Sequence, residues 1–336
     1  MKKVWLHIGT HKTGTTTLQK FFFKNREVLL QRGLYYPTEG SYFFQEGKNH
    51  SLLAHALRSE RPEFLPDNLT FTLEGCVNDI QADIRKSDAP EIVISSEHFS
   101  FNSSKEEVER LKNVFDPIAS EVHVILYLRR QDHRIESGYS QMIKRGYRVA
   151  PFESFIQWML NAPDQSLDYE KKVKLFADVF GAKNVTVRIF EKSQIHPQGL
   201  ICDFMNILGI SQLTEFKQVQ DANISPSTEV LEILRYVNSF YPNVHSRKLF
   251  AQLFENLTLD GLDQTRYSLY SEALREKTLG NYRDSNERLA RNFLNRPDGR
   301  LFHDSENPNT PIYPGLSGKA LTWALSQIIL RQAQHS

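Results

Sequence analysis

The chain holds only two cysteines, Cys76 and Cys202, in 336 residues. That scarcity excludes a disulfide-built scaffold and a cysteine-rich zinc site, and it suits a reducing compartment. An excess of charge of one sign is also missing: 41 Lys and Arg stand against 40 Asp and Glu, a formal net charge of +1. Bulk charge therefore does not point to a polyanion, nucleic acid is not an expected partner, and any anion site has to be built locally. No apolar run approaches the roughly 18 residues of a membrane span. The start, Met1-Lys2-Lys3-Val4, carries the charge of a signal peptide, but its apolar run stops at Ile8, so no h-region is expected. The expected location is cytoplasmic. Internal repeats and low-complexity tracts are lacking too. What remains is an ordinary globular composition, 40% apolar and 24% charged, on a chain long enough for a large core.

Strands and helices alternate along that chain. Val4–Ile8, Glu91–Ser95, Val122–Leu128 and Val185–Phe190 read as strands, Glu91–Ser95 an apolar run suited to a buried position and Val122–Leu128 the strongest. Between them, Leu18, Phe21 and Phe22 mark one face of a helix, and Val28, Leu29 and Leu30 mark a second that ends at Gly33. A helix is predicted from about Gln131 to Lys144, and another carries Val173, Phe176, Ala177 and Phe180 and stops at Gly181. After about residue 215 the pattern is helical, with a start at Ser225-Pro226 and a stripe of Val230, Ile233, Leu234 and Val237. The fold class is thus α/β, a parallel sheet in three layers with helices on its faces and a helical C-terminal portion. One domain is expected over 1–336, with a core sheet over about 1–215 and a helical acceptor or lid portion over about 216–336. The polar, aromatic segment Thr38–Gly75 reads as an insertion or an irregular helical excursion.

The most informative residues are Gly9-Thr10-His11-Lys12-Thr13-Gly14-Thr15-Thr16-Thr17-Leu18, between the first strand and the first helix. Such a turn cradles phosphate: glycines allow close backbone approach, amides point inward, the helix end adds partial positive charge, and Thr15, Thr16 and Thr17 offer hydroxyls. The glycine spacing matches a Walker A loop, but Thr15 stands where that loop has its lysine. The loop's lysine is Lys12, two residues before the second glycine. A polar strand-to-helix turn without a ligand is the plain alternative. A second cluster lies at the end of the third strand, Leu128-Arg129-Arg130, followed by Gln131-Asp132-His133-Arg134-Ile135-Glu136-Ser137-Gly138-Tyr139-Ser140-Gln141. Ligands in open α/β sheets sit beyond the carboxyl ends of strands, where Arg129 falls. An arginine fork and a serine hydroxyl eight residues apart suit one phosphate.

Both clusters resemble those of bacterial P-loop-type sulfotransferases that use 3'-phosphoadenosine 5'-phosphosulfate (PAPS), and the Tyr139-x-Gln141 tail is similar to that of the carbohydrate sulfotransferases. The resemblance implies PAPS as co-substrate, with no metal required. It implies that Gly9, His11, Lys12, Thr13, Gly14, Thr15, Thr16 and Thr17 hold the 5'-phosphosulfate, Lys12 contacting the bridging oxygen and the moving sulfuryl group. Arg129 and Ser137 would hold the 3'-phosphate. Arg130 departs from the pattern, where many members have aspartate. Weaker landmarks are Phe190-Glu191-Lys192, Asp203-Phe204 with Leu208-Gly209, and Asn286-x-x-Leu289-Ala290.

Sulfuryl transfer to a hydroxyl or amine needs a base near the sulfur. Ser95-Ser96-Glu97-His98, at the end of the second long strand, supplies Glu97 as first candidate and His98 as second; a carboxylate at a helix start behind a serine cap is the structural alternative. The acceptor is expected to be a carbohydrate or another small hydroxylated molecule. Tyr42-Phe43-Phe44-Gln45 and Lys48-Asn49-His50 suit sugar stacking, or else anchor the insertion to the core. Lys144, Arg145 and Arg148 suit an anionic acceptor, or a solvated helix face. The competing class is a P-loop nucleotide kinase or NTPase, in which Glu97 would end a Walker B strand.

Overall fold

The computed structural model describes residues 1–61, 65, 69–147, 150–161, 167–219, 227–240, 265, 267–304, 310–323 and 326. Ser225, Pro226 and Arg148 lie outside the described residues. The chain divides into two units, one of 1–130, 162–222 and 282–304, the other of 131–161, 223–281 and 305–336.

The first unit is built on a sheet. Its strands are β1 (Lys2–His7), β2 (Leu34–Tyr35), β3 (Glu91–Ser95), β4 (Ala119–Leu128) and β5 (Val185–Ile189), in the order β2-β3-β1-β4-β5. Every pairing is parallel, as the alternation of elements predicts. Val4 and Leu6 of the central β1 face Ile92 and Ile94 on one side and Val122 and Val124 on the other, and all six are almost wholly buried. A central parallel strand covered on both faces has to be apolar throughout, which is why these strands read so clearly. The short β2 has no comparable run and is not legible in advance.

Helices flank the sheet in this unit: α1 (Thr15–Lys24), α2 (Arg26–Gln31), α3 (Ser51–Ala56), α4 (Leu73–Lys86), α5 (Lys105–Phe115), α8 (Tyr169–Phe180), α9 (Leu200–Ile207) and α12 (Arg283–Leu294). α1 buries Leu18, Phe21 and Phe22, and α8 buries Val173, Phe176 and Phe180 before ending at Gly181, whose φ is +87°. α4 and α5 carry start signals that the apolar periodicity alone does not reveal. The Thr72 hydroxyl accepts from the Gly75 amide, and Ser104 with Glu107 forms a reciprocal capping box.

The landmarks Glu191 and Asp203 turn out to be buried braces. Glu191 accepts from the His303 amide at 2.8 Å and from Gln194 Nε2 at 2.6 Å. Asp203 on α9 accepts from Tyr127 Oη at 2.7 Å, from the His196 amide at 2.9 Å and from both sides of the Arg188 fork on β5. Leu289 and Ala290 are fully buried core.

The second unit is helical where described, with α6 (Gln131–Lys144), α7 (Phe152–Leu160), α10 (Thr228–Phe240) and α11 (Glu272–Gly280). The stripe Val230, Ile233 and Leu234 is buried, as are Ile135, Tyr139 and Ile143 of α6. An ion pair is buried within it: Arg275 Nη1 meets Asp132 Oδ2 at 2.5 Å while Nη2 donates to Ser268 Oγ at 2.7 Å. Among the described residues no helix is long and apolar enough to cross a membrane.

Asp203→Ala removes the acceptor shared by a guanidinium, a phenol and a backbone amide. It is expected to cost about 3 kcal/mol, the scale of a broken buried ion pair. Urea denaturation checks this; a change within about 0.5 kcal/mol, the size of an ordinary surface substitution, contradicts the bracing role.

Candidate functional site

The loop after β1 turns through three left-handed residues: φ is +48° at Gly9, +71° at Lys12 and +76° at Gly14. Alternation of this kind aims successive amides to one side and makes a concave anion nest. Glycine is required at two of the three. A Cβ on Gly9 would stand 2.7 Å from Thr15 Cγ2, and one on Gly14 would meet Leu200 and the Phe190 ring. Lys12 holds a conformation that disfavours any side chain, so its surroundings must impose it. Two braces do so. The Thr10 hydroxyl, fully buried, donates to the Tyr127 carbonyl at 2.8 Å, and the Arg129 guanidinium donates to the Lys12 carbonyl at 3.0 Å. Thr13 Oγ1 donates to the Thr10 carbonyl at 2.7 Å, so this buried hydroxyl ties the loop to itself and only the Thr13 amide is left for an anion. Gly14 caps α1 with no side chain to take up its first amides. The Thr17 and Leu18 amides close onto the Gly14 carbonyl at 3.0 and 3.2 Å. Thr15 is buried; Thr16 and Thr17 are half-buried.

Glu97 and His98 sit beside this loop. Gly9 packs so closely to Glu97 that a Cβ there would lie 3.5 Å from its Cα. The His11 and His98 rings are 5.5 Å apart, and both lie on Phe101, at 4.6 and 5.8 Å. The two residues begin a 3-10 turn, Glu97–Phe101, capped by Ser96, whose hydroxyl accepts from the His98 amide. So the serine cap exists, and the capped turn also faces the loop. Ser100 Oγ donates to the Glu97 carbonyl at 2.7 Å, and buried Lys172 donates to the Ser100 carbonyl, which fixes the turn from beneath.

The electrostatics follow from this packing. Burial raises the pKa of Glu97, but His98, His11 and the hydrogen bond from Gln19 outweigh it and hold the carboxyl below its ordinary range. Burial lowers His7 and His50 to about 4 and His55 to about 3. For His50 the geometry agrees: the Ser95 amide donates to Nδ1 at 3.0 Å, so Nε2 carries the proton and donates to the Pro37 carbonyl at 3.0 Å. A second proton would break the first bond.

Gly9, His11, Lys12, Thr13, Gly14, Thr15, Thr16, Thr17, Glu97, His98 and Arg129 thus gather at the carboxyl ends of β1, β3 and β4 in the first unit. Arg130, the departure from the sequence pattern, is buried and donates to the Asp304 carbonyl at 2.9 Å, whereas Arg129 reaches the loop. Ser137 lies on α6, in the second unit. Tyr42, Phe43 and His50 are buried and anchor the 38–50 segment, with Tyr42 Oη bonded to Asp83 on α4. The sugar-stacking reading of those three is therefore overturned by their burial, while Phe44 and Lys48 stay half-exposed. Gln19 went unnoticed in the sequence, although helical spacing puts it on the buried face of α1 between Leu18 and Phe22. Among the described residues no group of three or more His, Cys, Asp or Glu gathers as a metal site.

No family model matches this chain. An uncharacterized protein of Archaeoglobus fulgidus is 25% identical over 217 residues, 64% of this chain and 57% of its own length. The chain therefore spans little more than half of that relative. A crystal structure of a sulfotransferase from Alicyclobacillus acidocaldarius is similar at 18% identity and a TM-score of 0.44, over 77% of this chain and 98% of that one.

Gly9→Ala is expected to destabilise the chain by about 1–3 kcal/mol, from left-handed strain and the contact with Thr15. A chemical-denaturation midpoint that does not move contradicts the assigned turn. A second expectation concerns acid. Unfolded histidines take protons near 6.5, while folded His7, His50 and His55 refuse them until about pH 4 or below. The unfolded chain then binds more protons across that window, so stability falls as pH drops from 6.5 to 4. The slope reaches about 1.4 kcal/mol per pH unit for each histidine. Glu97, whose folded pKa is depressed, removes stability in the same direction below its ordinary 4.5. Urea midpoints at pH 7, 6 and 5 check this, and His50→Asn should flatten the slope by about one proton.

Proposed function

We propose that this chain is a PAPS-dependent sulfotransferase acting on a hydroxyl or amine, with a carbohydrate or other small hydroxylated acceptor. One observation carries the reading: a left-handed amide nest with its lysine inside the loop, Lys12, rather than after the second glycine, set beside the Glu97–His98 turn and the Arg129 guanidinium. The nest, the α1 N-terminus and Lys12 fit a phosphosulfate in charge and in backbone approach. PAPS supplies the sulfuryl group and a phosphate leaving group. In the transfer, the bond from sulfur to the 5'-phosphate oxygen breaks and a bond from sulfur to the acceptor oxygen forms. Lys12 and the loop amides neutralise the charge that grows on the leaving phosphate. Glu97, ionised by its surroundings, takes the acceptor proton, with His98 next to it as the alternative base. Arg129 holds the 3'-phosphate; Ser137 is assigned to the same phosphate on its sequence position alone. A sheet core over 1–215, an acceptor portion over 216–336, freedom from a metal requirement and a cytoplasmic location belong to the same proposal.

The competing kinase or NTPase reading is separated by calorimetry. Tight binding of 3'-phosphoadenosine 5'-phosphate that needs the 3'-phosphate and ignores magnesium is expected; magnesium-dependent binding and turnover of ATP overturn the proposal. Lys12→Ala should lower turnover by about 100-fold or more, on the scale of a lost transition-state donor. Arg129→Ala should weaken nucleotide binding by about 10- to 100-fold, the worth of a charge-assisted bond. Glu97→Gln should lower turnover and leave nucleotide affinity nearly unchanged; an unchanged rate passes the base role to His98.

A further inference from the structure

A chain of buried amides leads to Glu97 from the 38–50 segment. The Ser51 backbone N–H donates to Asn49 Oδ1 at 3.0 Å, Asn49 Nδ2 donates to Gln19 Oε1 at 3.4 Å, and Gln19 Nε2 donates to Glu97 Oε2 at 2.9 Å. Gln19 is 1% exposed and Asn49 7%. The direction of this chain is not free. A backbone N–H can only donate, so the oxygen of Asn49 must face Ser51 and its NH2 must face Gln19. The oxygen of Gln19 is then committed to Asn49, and its NH2 must face Glu97. Turning either amide over would set donor against donor and acceptor against acceptor in a buried place. Asn49 is itself held by a backbone bridge, its carbonyl accepting from the Phe44 amide at 2.7 Å. Gln19 rides on α1, whose N-terminus closes the anion nest.

We infer that Asn49 and Gln19 are positioning residues, a one-way amide relay started at Ser51 that commits Glu97 Oε2 as an acceptor and so orients the carboxylate that takes the substrate proton. The role in the reaction rests on the sulfotransferase reading; the relay itself does not. A proton on Oε2 would point at the Gln19 NH2, so protonation there forfeits the bond. The relay thus favours the carboxylate over the acid and fixes its rotation. The charged and titratable groups acting around it are His98 and His11, with His7, His55 and Tyr36 affected by it in turn.

The test uses two uncharged variants of the full chain, Gln19→Met, which keeps the volume and removes the donor, and Asn49→Leu, which does not touch Glu97 but releases the orientation of Gln19. Glutamate carboxyls are followed by carbon-13 NMR, with the Glu97 signal identified by its loss in Glu97→Gln. In both variants the Glu97 titration is expected to move up by about one pH unit, a tenfold gain in proton affinity. The acidic limb of kcat should move by the same amount, with KM for PAPS within twofold of wild type. A Glu97 titration that stays in place in folded Gln19→Met overturns the relay, as does movement in that variant with none in folded Asn49→Leu. If Asn49→Leu does not fold, Gln19→Met decides alone. Upward movement in a protein that transfers no sulfuryl group from PAPS supports the relay and refutes the sulfotransferase reading, so the two fail separately.

Discussion

Everything at the rim of the sheet depends on how the chain leaves β1. Three left-handed residues in a six-residue turn are unfavourable for an L-amino-acid chain, and one of them is a lysine. The turn survives because it is tied to the neighbouring strand from two positions, the Thr10 hydroxyl to the Tyr127 carbonyl and the Arg129 guanidinium to the Lys12 carbonyl. β4 therefore does two jobs. It pairs with β1, and its Tyr127 carbonyl, with Arg129 just beyond its end, holds the turn that β1 feeds. The Arg129 side chain is at once a brace for the nest and a cation beside it.

The same economy recurs on the other side of β1. β3 ends in a turn held by a serine cap, by Ser100 and by the buried ammonium of Lys172, and this turn carries Glu97 and His98. Burial would make a carboxyl there neutral. The histidines and Gln19 reverse that outcome. Three other histidines, His7, His50 and His55, go the opposite way and stay neutral because burial is the largest influence on each and outweighs the carboxylates that would favour the proton. Histidines of one region thus act in two ways: His11 and His98 favour the ionised Glu97, and the buried His7, His50 and His55 stay neutral.

Legibility followed burial and backbone demands. The long parallel strands were legible because strands covered on both faces admit little but apolar residues, as Val122–Leu128 does. The loop was legible because glycine at positions 9 and 14 and threonines around them answer a backbone requirement. α4 and α5 were not, since their apolar residues are sparse and their starts are set by local caps, the Thr72 hydroxyl and the Ser104–Glu107 box. The aromatic cluster at Tyr42, Phe43 and His50 read equally as a ligand surface or as an anchor. The composition is the same for both, and only burial separates them.

What the amino-acid order determined by itself was local: which runs must be buried strands, where a helix must stop at glycine, and where the backbone must turn left-handed. Sterics and periodicity act over a few residues, so those features need no distant partner. What only the tertiary structure decided was who faces whom across long separations. Arg129 rather than Arg130 reaches the loop, Glu97 lies against Gly9, and Gln19 is aimed at Glu97 through Asn49 and Ser51. Those pairings follow from strand order and register, which bring together residues up to 117 positions apart, and no local preference encodes them.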